Sequence, residues 1–231
     1  MNEFYVIEHT ETSSEAASHF GGIYGKGGDF LYRWGNPANY NRGNNNDQIL
    51  NAQHSVNWIP EGYPGAGNFI LFNNNHSLNS SAVLEIVPPV NESGFYTIDS
   101  DNPFGPSNYH WIYENDFYSN TQSGAYRMSN GNTFITSAAD DQIFEVNLNG
   151  DIVWYYQGSE STVRALKYPI DYFYNPIAGD LNQDSVLNIL DVILMTNIIL
   201  ELIDFNNQAD INEDQIIDIL DIISLINIIL F

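Results

Sequence analysis

Residues 124–156 read GAYRMSNGNTFITSAADDQIFEVNLNGDIVWYY. GAYRM is followed by the turn Ser129-Asn130-Gly131-Asn132 and then TFITSA; IFEVNL is followed by the turn Asn149-Gly150-Asp151 and then IVWYY. Short apolar runs of alternating character, separated by Asn-Gly turns, predict four antiparallel strands over 124–157. Four such strands match one blade of a β-propeller. A second set covers 54–99 as HSVNWIP, NFILFNN, AVLEIVPP and FYTI, and a partial set precedes it as FYVIEH and FLYRWG. The expected fold is therefore an all-β partial β-propeller of about 2.5 blades, followed by a small all-α tail. The runs Asn44–Asn46 and Asn73–Asn75 read as turns.

The tail writes one 12-residue loop twice. Asp180, Asn182, Asp184, Asn188 and Asp191 fill positions 1, 3, 5, 9 and 12, and Asp210, Asn212, Asp214, Asp218 and Asp221 repeat the spacing. Ca²⁺ takes six to eight oxygen ligands, and a short loop delivers most of them from these positions. Val186 and Ile216 stand at position 7, where the backbone carbonyl is the ligand and the side chain is free to be apolar. Each loop runs into an apolar segment, DVILMTNIIL at 191–200 and DIISLINIIL at 221–230. Two bound Ca²⁺ are expected. Position 6, ordinarily Gly because the chain turns there with positive φ, carries Ser185 and Gln215, which predicts binding weaker than in an ideal loop.

Charge separates the two parts. The chain carries 29 acidic and 6 basic residues, for a net charge of −23. From position 168 onward there are 11 acidic residues and no Lys or Arg, leaving −12 on the first 167 residues. Such a balance excludes nucleic-acid binding through phosphate contacts. The apolar runs of the tail are too short for a membrane span and are interrupted by Asp191, Asn197, Asp221 and Asn227. Cysteine is absent, which excludes disulfides and thiol catalysis. Millimolar calcium implies an extracellular or periplasmic setting, yet MNEFYVIEHT has no signal-peptide pattern. The expectation is a first domain, 1–173, that is N-terminally incomplete and has lost its export signal, and a second domain at 174–231.

The doubled loop resembles a type I dockerin, the calcium-binding module that docks onto cohesins. In that family partner contacts cluster at loop positions 10 and 11, here Ile189-Leu190 and Ile219-Leu220. The resemblance implies two calcium ions and a cohesin-like partner. The β region resembles the C-terminal half of bacterial arylsulfate sulfotransferases. The matching stretches are GGDFLYRWGNP at 27–37, QHSVNWIPEGYPGAGNFILFNNN at 53–75, residues 123–156 and VRALKY at 163–168. This resemblance implies a six-bladed propeller and transfer of a sulfuryl group from an aryl sulfate to a phenolic acceptor. A histidine carries the group between the two phenols, and its place in the Gln-His motif falls on His54.

Imidazole chemistry is compatible with that role, since a neutral ring near pH 7 is a competent nucleophile. Arg33, Arg127 and Arg164 are candidates for binding the sulfate oxygens. Ser119 and Thr121 lie in a stretch similar to a pore-facing segment of the family. His9, His19, His76 and His110 read as loop or surface residues. No residue in 1–53 matches the family's His-x-Asn pair, so the chain is expected to lack appreciable turnover. Two other readings stand beside the enzyme: a non-catalytic module that binds ligands or partners, and a component of a polysaccharide-degrading assembly. Nothing in the sequence pairs the carboxylates that glycoside hydrolysis needs.

Overall fold

The computed structural model describes residues 2–10, 12–168, 172 and 177–230. The chain divides into two compact units, Met1–Lys167 and Tyr168–Phe231. The expected boundary at 173/174 lies outside the described residues.

Among the described residues the first unit holds ten strands: β1 Phe4–Ile7, β2 Phe30–Trp34, β3 His54–Trp58, β4 Phe69–Ser77, β5 Ser80–Ile86, β6 Trp111–Glu114, β7 Gly124–Arg127, β8 Thr133–Ser137, β9 Gln142–Val146 and β10 Ile152–Gln157. They form a two-stranded sheet, β1-β2, and two four-stranded meanders, β3-β4-β5-β6 and β7-β8-β9-β10. All pairings are antiparallel. A one-turn helix, α1, spans Ser13–Ala16 and is capped by Thr12, whose side chain accepts from the Glu15 amide.

This corrects the fold expected above. Among the described residues there are three open sheets of two, four and four strands and none closes on itself, so a propeller is not formed. Turn signals and alternation define single meanders, whereas a propeller is a property of how many such sheets assemble around one axis, which local pattern does not carry.

The middle meander is buried on both faces. Phe69 and Leu71 of β4 join Phe4, Tyr32, Trp34, Leu84 and Ile86 in one core, while Ile70 and Phe72 join Val83, Tyr113, Ala125, Ile135 and Phe144 in another. That is why β4 opens with the uninterrupted run FILF instead of an alternating one. Burying each large apolar side chain contributes roughly 1.5–3 kcal/mol. The fourth strand of this sheet also differs from expectation. FYTI at 95–98 supplies only an isolated bridge, Val90 to Tyr96, and the strand is Trp111–Glu114. Its signal was a repeat: Trp111-x-Tyr113 recurs as Trp154-x-Tyr156 in β10, and both pairs of rings stack. VRALKY lies on the last sheet, with the Ala165 amide donating to Thr136 Oγ1 at 3.2 Å.

In the second unit, α2 spans Ile189–Ile199 and α3 spans Ile219–Leu230. They share a small core of Met195, Ile198, Ala209 and Leu225. The expectation of an all-α calcium-binding dockerin is corrected here as well. Among the described residues there are three helices, two of them in this unit, and this loop–helix pair does not establish a dockerin module. No helix among the described residues is long and apolar enough to cross a membrane.

Candidate functional site

His54 opens β3 at a register shift. The pairing with β4 slips between His54 and Asn57, and Ser55 takes φ 56°. Such a bulge re-aims side chains that would otherwise alternate across the sheet. The His54 Nδ1 atom lies 2.8 Å from Asn74 Oδ1 and 3.0 Å from the Ala52 carbonyl oxygen. Both are acceptors, so Nδ1 carries the hydrogen, and in the neutral ring the lone pair is on Nε2. Ser55 Oγ lies 2.9 Å from the Tyr126 hydroxyl. A Cβ at Gly124 would sit 2.7 Å from Ser55 Oγ, so this close approach of β7 to β3 requires glycine.

The three arginines separate by their partners. Arg33 donates from Nε and Nη2 to Glu3 at 3.0 and 2.7 Å, with its plane against Tyr40. Arg127 is buried, pairs with Glu85, donates to the Gly131 carbonyl at 3.0 Å and lies over Trp111. Burial pulls its pKa down, and Glu85 opposes that pull. Both are structural cations already matched to carboxylates. Arg164 is exposed, and its guanidinium lies 5.1 Å from the Tyr126 ring centre. Among the described residues it has no ion-pair partner. Through Tyr126 and Ser55 it is the arginine connected to His54.

Ser119 is fully buried and its hydroxyl donates to the Thr121 carbonyl at 2.8 Å, a loop-holding role. His19 lies against Asp29, and His76 sits 3.6 Å from Glu114. A cleft of about 420 Å³ is lined by Trp34, Pro37, Tyr40, Arg42, Gln48 and Phe104, and contains none of the predicted catalytic or binding residues. The residue that sequence reading missed is Asn74. The Asn73–Asn75 run, expected as a turn, lies inside β4, where Asn73 and Asn74 are fully buried. Its signal is position: an amide run that continues an apolar strand directly, with no turn residue between.

The two tail loops share one network. Asp191, which is 0% exposed, accepts from the amides of Leu181, Asn182 and Asn188 at 2.9, 3.3 and 2.9 Å. Asp221, also 0% exposed, accepts from Ile211, Asn212 and Asp218 at 2.9, 3.2 and 2.9 Å. Asp180 accepts from the amides of Asp184 and Ser185, and Asp210 from those of Asp214 and Gln215. Ser185 and Gln215 take φ 68° and 71°, so the left-handed turn at position 6 forms without glycine. The loops differ at position 9, where Asn188 Nδ2 donates to the Val186 carbonyl at 3.0 Å, while Asp218 adds a carboxylate and has no amide to donate.

Among the described residues no group of three or more His, Cys, Asp or Glu side chains converges as a metal cluster. The donor chemistry nevertheless fits Ca²⁺. Every candidate donor is an oxygen, some are Asn amides or backbone carbonyls, and the buried carboxylates have no Lys or Arg in residues 168–231. The predicted partner positions Ile189, Leu190, Ile219 and Leu220 are all more than half exposed.

Compared with known proteins, the chain matches no protein-family model and no curated protein.

Proposed function

We propose that the β unit is an arylsulfate sulfotransferase-like domain acting through His54, carried by a calcium-dependent attachment module that binds a cohesin-like partner outside the cytoplasm. The observation that carries the first part is the hydrogen bonding of His54, which assigns its proton to Nδ1 and leaves the Nε2 lone pair for attack. In the proposed reaction Nε2 attacks the sulfur of an aryl sulfate. The S–O bond to the aryl group breaks, and the phenolate leaves with the electron pair. An acceptor phenol then attacks the same sulfur, loses its proton to solvent and frees His54. Arg164, with no carboxylate committed to it, is the group to bind the sulfate oxygens. The sequence similarity quoted above supports the substrate class.

In the second unit, Asp180, Asn182, Asp184, Asn188, Asp191 and the Val186 carbonyl would hold one Ca²⁺. Asp210, Asn212, Asp214, Asp218, Asp221 and the Ile216 carbonyl would hold the other. The ion supplies positive charge to carboxylates that have no cationic side chain in their unit, and so couples folding to calcium. The exposed Ile-Leu pairs support a protein partner.

The test is incubation of the full chain with 4-nitrophenyl sulfate, followed by peptide mass spectrometry. Expected is up to one equivalent of nitrophenolate, a sulfuryl group on His54 and negligible further turnover; His54→Ala should abolish both signals. Absence of the adduct, or an adduct elsewhere, overturns the reading. A second reading, a non-catalytic binding module, is favoured by the commitment of Arg33 and Arg127 to carboxylates. Saturable aryl sulfate binding with no adduct would select it.

A further inference from the structure

We propose that Asn74 is a positioning residue whose Oδ1 atom holds His54 in the Nδ1–H form; this rests on the reading of His54 as the nucleophile. Free histidine side chains favour the opposite form, with hydrogen on Nε2. A nucleophilic Nε2 therefore needs a partner on Nδ1 that only accepts. Asn74 provides the shorter of two at 2.8 Å, the Ala52 carbonyl lying at 3.0 Å.

An amide can present oxygen or nitrogen, and the surroundings of Asn74 decide which. Its Nδ2 donates to the Ser119 carbonyl at 2.8 Å and to the Gln122 carbonyl at 3.0 Å. Flipping the amide would set Oδ1 against two carbonyl oxygens and lose both bonds. Ser119, which bears the first of those carbonyls, is itself held. Ser81 Oγ donates to the Asn74 carbonyl at 2.6 Å and accepts from the Ser119 amide at 3.0 Å, and the Ala139 amide donates to Ser119 Oγ at 3.0 Å. Asn74, Ser81 and Ser119 are all 0% exposed, so water does not compete for these bonds. The order of constraint runs from the 119–122 loop to the amide, and from the amide to the imidazole. A buried amide on a core strand is costly unless its groups are paired, and the pairing here ends on the one histidine in the Gln-His motif.

The experiment is long-range ¹H–¹⁵N correlation on the full chain, which distinguishes the two imidazole forms directly, combined with the rate of His54 modification by 4-nitrophenyl sulfate. Wild type is expected in the Nδ1–H form. Asn74→Ala leaves only the longer contact, to the Ala52 carbonyl, on Nδ1, so it should shift His54 toward Nε2–H and slow adduct formation about 10-fold, the lower end of the loss seen when the orienting partner of a metal-ligating histidine is removed. Asn74→Asp loses the same two bonds to the 119–122 loop but keeps an acceptor, so it should retain the wild-type form of His54. An Nε2–H wild type overturns the proposal without any variant. Identical behaviour of the Ala and Asp variants also overturns it, because the loop contacts alone would then account for the effect. The expected spectra without any adduct in wild type would overturn the sulfuryl-transfer reading and leave the positioning role standing.

Discussion

Glu3, Glu85 and Glu145 are buried beside Arg33, Arg127 and Lys167, whereas Asp180, Asp191 and Asp221 are buried in a unit that has no Lys or Arg at all. The β unit carries its own countercharges. In Glu85 and Glu145 the pattern is even repeated: each is the penultimate residue of a third strand, takes a side-chain amide from the residue before the second strand (Asn68 or Asn132), and meets a cation that lies over the Trp of the fourth strand. The tail offers its carboxylates backbone N–H groups instead. The difference teaches that the first unit meets these three carboxylates with its own cations, while the second meets its buried carboxylates with backbone N–H groups alone, which is why a cation is proposed there.

The largest effect should come from opening a closed pair. Arg127→Ala leaves Glu85 buried without its cation and should cost about 3–5 kcal/mol, read as a lowered urea midpoint of the β unit. A loss below about 1 kcal/mol would mean that Asn68 alone satisfies Glu85.

Next is removal of the external cation. Chelating calcium should reduce helix content in the tail and leave the β unit's unfolding midpoint unchanged. With calcium at 100 times its dissociation constant, each site adds about 2.7 kcal/mol. Asp191→Ala and Asp221→Ala should each remove one of two calcium equivalents in calorimetry. If the chelator changes nothing, backbone N–H groups suffice for these carboxylates and the contrast between the units fails.

The smallest effect sharpens the contrast inside the β unit. Lys167 is partly exposed, unlike Arg127, so Lys167→Ala should cost only about 0.2–1 kcal/mol. Burial raises the pKa of Glu145, but hydrogen bonds from Lys167 and Asn132 outweigh it and hold the carboxyl below its ordinary value. A lowered native pKa contributes stability that is present above about pH 4.3, the unfolded value, and is lost as pH falls through the native one. Acid unfolding of Lys167→Ala should therefore show a shallower loss below that pH than wild type; parallel curves would rule out this linkage.

Local chemistry was legible in the sequence. Alternation and Asn-Gly turns gave the strands of the 124–157 meander, and the doubled spacing of Asp and Asn gave the tail loops. What depended on distant partners was not legible. Glu85 and Arg127 are 42 residues apart with nothing local to join them. Asn74 looked like part of a turn because a run of three Asn usually is one, and only the chain packing on both sides of β4 reveals it as core. The left-handed turns at Ser185 and Gln215 stand where glycine is ordinary; two carboxylate-bound amides per loop hold that conformation without it. The partial propeller of about 2.5 blades failed for the converse reason, since each meander satisfies its local signals without reference to how many others exist.

The Trp residues that lie beneath the two cations have an optical consequence. All four indoles of the chain, Trp34, Trp58, Trp111 and Trp154, belong to the first unit, and the two long helices belong to the second. Tryptophan emission therefore follows one half of the molecule, and the helical dichroism band follows chiefly the other. The intact chain is thus its own two-channel instrument, in which unfolding of each half can be timed without cutting or labelling it.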